Sequence, residues 1–412
     1  MRTERAPQRA GSRAGLVASM AAPSARADGD DNLSPYLLGV YQGIATDSNL
    51  FRAPDGGNVQ RDTISSTGVR AGLDLPISRQ RLRANLGANY NRFNNNSQLN
   101  NTDYNLGARL DWETIERISG VVSVEQQRSL YRDSINGVVS TDRNLLRTSS
   151  AGAQVRVGVV TLWTFEGGLA VNANDYSSPA LVNRNLRQEA VDGGIRYRPS
   201  DALSVKLGVR HTEGRYPNID PETDHFKRND IELTGNFDLT GVSKLNARVS
   251  STHEKHTVDG GRDLNGWTGG LQWLWKPTGK LTFDSNLTHD TSVGRANFES
   301  PLISSDTGDS REANAAILKA TWATTAKIQV VGNASYIRRK LDNAFINGGG
   351  NSTITTNDRT SVFGLGVRWQ PLRPLEFACN VSKEHRSVEG SNALSVPYSA
   401  DTANCSAQLS LQ

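Results

Sequence analysis

The chain contains no run of about 18 apolar residues, so no helix of it is expected to cross a bilayer. Only 36% of its 412 residues are hydrophobic and its mean hydropathy is -0.51. A soluble α/β domain of this length needs more apolar residues than that, and single cores stop growing near roughly 250–300 residues. Neither charge sign dominates: 46 basic and 42 acidic residues leave a formal net charge of +4. No basic cluster interleaved with aromatics occurs, which argues against a nucleic-acid partner. The histidines His211, His225, His253, His256, His289 and His385 lack a Gly-x-Ser-x-Gly elbow or any other catalytic signature, so no catalytic residue is assigned. His253-Glu254-Lys255-His256 misses the helical spacing of a zinc site, and on a strand its two histidines face opposite ways. Asp28 to Asn32 is oxygen-rich but lacks the terminal glutamate of a calcium loop. No metal and no cofactor is expected.

What the sequence does have is period-two alternation. Leu203, Val205, Leu207 and Val209 alternate with Ser204, Lys206, Gly208 and Arg210. Leu82 to Tyr90, Tyr104 to Trp112 and Trp163 to Val171 repeat the pattern. On a strand such sets occupy opposite faces, one apolar and one charged. Short links (such as Pro76 to Arg79, Pro199 to Asp201 and Pro277 to Gly279) alternate with longer polar stretches. The latter are Asp47 to Gln60, Ser134 to Arg143, Asn174 to Asn185, Pro217 to Asp224, Val293 to Ser310 and Asp342 to Thr356. This asymmetry of short turns and long loops belongs to transmembrane barrels.

The expected fold is therefore all-β: an antiparallel up-and-down transmembrane β-barrel of about eighteen strands, with both termini periplasmic, in the outer membrane of a Gram-negative bacterium. The last four strands are expected to begin near Lys327, Thr356, Arg373 and Tyr398, while Ile118 to Arg143 alternates poorly. Trp163, Trp273, Trp275, Trp322 and Trp369 lie near short turns, where an interfacial girdle is expected. Residues 1–27 read as a signal peptide, with an arginine-rich start and Ala25-Arg26-Ala27 as the cleavage pattern. Residues 28–34 then form a mature N-terminal segment and 35–412 the barrel.

The inward face should carry Arg70, Arg81, Arg83, Arg109, Arg156, Arg196, Lys206, Arg210, Arg248, Lys319 and Arg368. Glu166, Glu232, Asp238, Asp74, Asp111, Asp192 and Asp284 stand against them. Charges of both signs on one lumen imply water, because dry burial costs several kcal/mol each. They could line a pathway for a hydrophilic solute or brace the wall as ion-pair ladders. Cys379 and Cys405 are in phase with the apolar residues of the last two strands, and their hairpin spacing makes a cross-strand disulfide the expected state.

Asp47-Ser48-Asn49-Leu50-Phe51-Arg52, after the first strand, resembles the opening of the EpsL-type barrels, as does Arg79-Gln80 at the first short turn. The closing Cys405 to Gln412 is similar to the same group. These are β-barrel porins of exosortase-associated exopolysaccharide biosynthesis operons. The resemblance implies polysaccharide transport across the outer membrane and periplasmic export partners, and it supplies no catalytic residues. The terminal Gln412 departs from the aromatic residue that commonly ends a barrel. Membrane lipid and a polysaccharide or other hydrophilic solute are the expected partners. Three other readings compete. A general diffusion porin needs an inward constriction loop, for which Val293 to Ser310 is the candidate. A barrel enzyme acting on lipid or glycan needs a histidine and a serine or aspartate meeting at one rim. A structural barrel has a plugged lumen.

Overall fold

A computed structural model describes residues 35–114, 117–132, 140–159, 161–219, 222–258, 263–291, 312–347, 350–390 and 394–411, with 342–354 described as backbone alone. The alternating segments form the strands β1 (Tyr36–Asp47), β2 (Asp62–Ile77), β3 (Gln80–Phe93), β4 (Asn101–Glu113), β5 (Ile118–Leu130) and β6 (Leu145–Val157). Then follow β7 (Trp163–Tyr176), β8 (Leu186–Ser200), β9 (Leu203–Tyr216), β10 (Asp224–Thr240), β11 (Ser243–His256) and β12 (Leu264–Trp275). The last are β13 (Leu281–Asp290), β14 (Glu312–Ala323), β15 (Ile328–Asn347), β16 (Gly350–Leu372), β17 (Leu375–Gly390) and β18 (Tyr398–Leu411). Each strand pairs antiparallel with its neighbours in the chain, and β1 pairs with β18 to close an 18-stranded barrel. Closure leaves no sheet edge, so every strand's backbone polar groups can be satisfied without water.

Register follows the side-chain pattern. Leu207 stands opposite Leu233 and Val209 opposite Ile231, so the apolar sets of β9 and β10 share the outer face. A one-residue slip would send every charged residue of a strand outward, which is why the pattern specifies the pairing. The outward set is exposed all round the barrel, Leu207 at 60% and Ile231 at 60%, and forms a continuous apolar belt. At the short-turn end the belt ends in aromatics. Trp163 packs on Tyr197, Trp273 on Trp275, Trp275 on Phe283 and Trp369 on Phe377, with ring centroids 4.6–5.5 Å apart. Trp322 is exposed on the same rim, while Trp267 lies toward the other end. The first and last strands both meet this rim, since Leu38 pairs with Leu411.

Towards the long loops the outer face changes character before the strands end. Beyond Val209 and Ile231 the next outward residues are His211, Asn229, Glu213 and Lys227. The barrel therefore stands as a belt topped by a polar collar.

One sequence expectation is corrected here and one strand that alternates poorly is confirmed. The stretch Asp342 to Thr356 is not a loop: β15 and β16 continue their ladder through Leu341↔Thr356 to Asn347↔Gly350, so β16 begins six residues before the expected Thr356. In a collar that meets water on its outer face, alternation is not required, and a threonine-rich strand persists without it. The poorly alternating Ile118 stretch is a regular strand, its pattern hidden because Gly120 stands outward and Val121 inward. Residues 1–34, the constriction-loop candidate Val293 to Ser310 and Gln412 lie outside the described residues.

Cys379 and Cys405 stand directly opposite each other on β17 and β18 and form a disulfide, with Cα atoms 4.1 Å apart. They lie in the belt, on the face shared by Val381 and Leu409.

Candidate functional site: the barrel lumen

Inside the belt, the charged residues picked out from the sequence stand on the face opposite the apolar one and meet one another across strands. Arg81 bonds Asp74 at 2.7 Å, Arg83 pairs with Asp111, and Arg109 reaches Asp111 at 3.1 Å. Arg196 and Lys206 share Glu166 at 2.6 and 3.2 Å, and Lys206 also approaches Asp192 at 3.4 Å. Arg210 and Arg248 share Glu232 at 2.9 and 3.3 Å. Lys244 meets Asp238 at 3.3 Å and Arg368 meets Glu376 at 3.4 Å. Arg156 stands opposite Glu166, and Lys319 opposite Asp284. Arg70 lies over the Tyr41 ring, 5.0 Å from its centroid, and that ring lies flat across Gly43, where a Cβ would come within 2.5 Å of the phenol oxygen. Many of these side chains stay partly solvent-exposed, so the belt-level lumen is wet.

The collar-level lumen differs. Along β10 the inward residues Asp224, Phe226, Arg228, Asp230 and Glu232 are all buried. Arg228 is 1% exposed and bonds Asp230 at 2.8 Å, Asp290 at 2.9 Å and Glu254 at 3.1 Å. Arg248 adds a 2.6 Å bond to Asp290, and the Thr291 hydroxyl donates to Glu254 at 2.9 Å. On the other wall Arg339 bonds Asp358 at 2.9 Å, Ser395 donates to the same carboxylate at 2.8 Å, and the Arg386 Nε donates to Thr360 at 3.0 Å. His256 is clamped in the interior by Asp224 at 2.7 Å and Glu254 at 3.2 Å, beside Tyr216 and Phe226. The reason is its phase: position 256 follows Arg248, Thr252 and Glu254 on the inward face. Burial alone would lower the imidazole's pKa, but the two carboxylates raise it above the ordinary value.

The first long loop completes the closure. Ser48 continues the β1–β18 ladder through paired bonds with Asp401, and the chain then turns inward. Leu50 and Phe51 pack on the inward Ile64 and Phe93 and on Leu99 of a 3₁₀ turn (Ser97–Leu99). Arg52, 2% exposed, bonds Asp47 at 2.9 Å and Glu384 of β17 at 3.0 Å. Arg132, beyond the end of β5, bonds Asp47 at 3.0 Å. Tyr398 donates to Glu384 at 2.7 Å and sets its ring beneath Arg52. Asn49 donates to the carbonyls of Ala53 and Ser399 at 2.8 and 3.0 Å. Burial would weaken the charge on Arg52, yet Glu384 and Asp47 reverse this and hold the guanidinium protonated. Asp47 is correspondingly held below the usual carboxylate range, burial being overcome by Arg52 and Arg132.

The sequence reading missed most of this collar. Arg228 and Asp230 were legible in principle, since they share the phase of Glu232 on the same strand. Arg52, Glu384 and Arg132 come together from separate loops and strands, and no spacing in the sequence announces that. A family model was sought and none matches the chain, and no curated protein matches either. Some solved structures are similar over most of the chain. The FrpB iron transporter of Neisseria meningitidis shares 8% identity at a TM-score of 0.47, covering 92% of this chain and 81% of its own. The outer membrane protein OpdK of Pseudomonas aeruginosa shares 12% identity at a TM-score of 0.44, covering 91% and 99%. OccK11 of the same organism shares 10% at 0.44, covering 92% and 96%. What the chain is rests on its own geometry: eighteen strands closed without an edge, a lipid-facing apolar belt with an aromatic rim and a charged interior make it an outer-membrane β-barrel of the Gram-negative type.

Proposed function

We propose that this barrel is a gated pore for a hydrophilic polymer, and that the polymer is an exopolysaccharide on its way out of the cell. The observation that carries the reading is the contrast along the lumen: partly exposed ion pairs near the short turns, such as Arg81–Asp74, Arg83–Asp111 and Lys244–Asp238, beneath a collar of buried side chains. Eighteen strands give a barrel wide enough for an aqueous channel. A polymer conduit must close when idle, or it would leak small solutes, and the packed collar supplies such a closure. The resemblance of Asp47 to Arg52, Arg79-Gln80 and Cys405 to Gln412 to the EpsL-type barrels supports the exopolysaccharide. In this reading both termini face the periplasm, export partners dock there, and the chain itself carries out no catalytic step. A general diffusion porin is the second reading, favoured by the wide belt-level lumen with charges of both signs.

Single-channel recording in a planar bilayer separates the two. A conduit shows long closed periods, and its openings are blocked from the short-turn side by acidic oligosaccharides more than by neutral ones. A diffusion porin shows steady open current and rapid liposome swelling with small sugars. No current under any condition, from a barrel shown by heat-modifiable gel mobility to be folded, sinks the pore reading itself.

A further inference from the structure

We infer that the first long loop, between β1 and β2, is the movable gate of the lumen and that Arg52 is the latch that holds it shut. The inference rests on the gated-pore reading and names the part that moves.

Three observations carry it. The loop spans the mouth: Arg52 touches Glu384 of β17, while Phe51, a neighbour in the chain, lines a cleft with Tyr131, Arg132, Asn144 and Leu181, from the ends of β5, β6 and β7. In ring order, seven strand positions separate β17 from β6, so this segment bridges a large share of the circumference. Second, Arg52 holds a left-handed backbone, φ 54°, which a bulky non-glycine residue adopts only where its surroundings impose it. The conformation is held by a local turn, in which the Arg52 N–H donates to the Asn49 carbonyl and Asn49 bonds Ala53, and by side-chain contacts with Asp47, Glu384 and Tyr398. Third, the strand-borne part of the closure among the described residues cannot swing. Arg228, Arg248, Arg339 and Arg386 project from strands bonded on both sides, so moving them outward would break the ladder. The loop has a few internal backbone bonds, among them Leu50 to Gln60 and Arg52 to Asn49, and an apolar foothold of two side chains.

The same geometry says what opens it. Arg52 and Arg132 converge on one carboxylate, Asp47. A polyanionic chain reaching this level from the belt can offer carboxylates to both guanidiniums in exchange for Asp47 and Glu384. Acidic polymer is therefore the opening ligand, and a neutral one is not.

The test uses the full chain in proteoliposomes. Ala53, 3% exposed inside the loop, is changed to cysteine as a reporter, since the chain's own Cys379 and Cys405 are joined. With the latch intact, A53C should resist an impermeant maleimide. Adding Arg52→Ala, or the near-isosteric Glu384→Gln should folding suffer, should speed labelling, and single-channel open probability should rise about a hundredfold, as when a buried ion pair loses one partner. Polygalacturonate should speed labelling of the latched protein, and dextran should not. The outward Lys227→Ala should change neither readout. Labelling that is equally slow with and without the latch overturns the inference, whatever the current. Faster labelling with no current leaves the latch standing and overturns the pore reading instead. Fast labelling of the latched A53C protein without polymer overturns the gate.

Discussion

Arg81 and Arg228 both stand on the inner wall of the barrel and both bond carboxylates, yet one side chain is 36% exposed and the other 1%. The first belongs to the wet belt-level lumen and the second to the dry collar. Their chemistry differs accordingly. In water an ion pair is screened and replaceable, so the belt-level pairs can exchange partners with whatever enters the lumen. Away from water each charge depends on its partners, because losing one leaves an uncompensated charge in a poor solvent. The same residue types thus line a wet wall at one level and a dry one at the other, which in the proposed reading are the surface for traffic and the closure.

The comparison breaks most visibly at Arg228. Arg228→Ala removes the guanidinium shared by Asp230, Glu254 and Asp290, leaving Arg248 and His256 as the remaining cationic partners of the latter two, and should cost about 3–5 kcal/mol in urea unfolding from detergent micelles. A loss below about 1 kcal/mol would mean that water reaches the collar and that the two levels are alike. Replacing Cys379 and Cys405 together by alanine should cost up to about 3.5 kcal/mol by the loop-entropy argument, and less where the hairpin is already held by the membrane. Because the bond lies in the belt, hydrogen exchange should quicken along β17 and β18 there and stay unchanged at Arg228.

His256 sharpens the contrast through pH. Its folded-state pKa is raised above the unfolded value near 6.5, so its clamp contributes fully below that pH and is lost as pH rises through the folded value. Thermal unfolding of the native chain and of His256→Gln should differ most at pH 5.5 and converge in mildly alkaline buffer. A gap that widens with pH would show the imidazole to be held neutral. The smallest stability effect is expected at belt level, where Arg81→Ala should change unfolding by less than about 1 kcal/mol while shifting ion selectivity toward cations.

Much of the barrel was legible because a transmembrane strand writes its two solvents into alternate positions. Leu203 to Arg210 reads as lipid face and lumen face without any tertiary information. The reading failed where that rule lapses. Residues 342–347 and 350–356 are strand with no alternation, whereas the expected strand at Ile118 forms even though Val121 places an apolar residue inside. Cys379 and Cys405 could be matched because hairpin register is simple arithmetic along one chain segment. The Arg52 cluster could not, since residues 47, 52, 132 and 384 meet only once the barrel has closed.

By itself the sequence determined the strand number, the faces and the disulfide pair, since all three follow from local period and neighbour pairing. Only the tertiary structure decided which inward charges are wet and which are dry. Burial at a given height depends on what the opposite wall and the folded-in loop bring there, and that sum is not carried by any one strand.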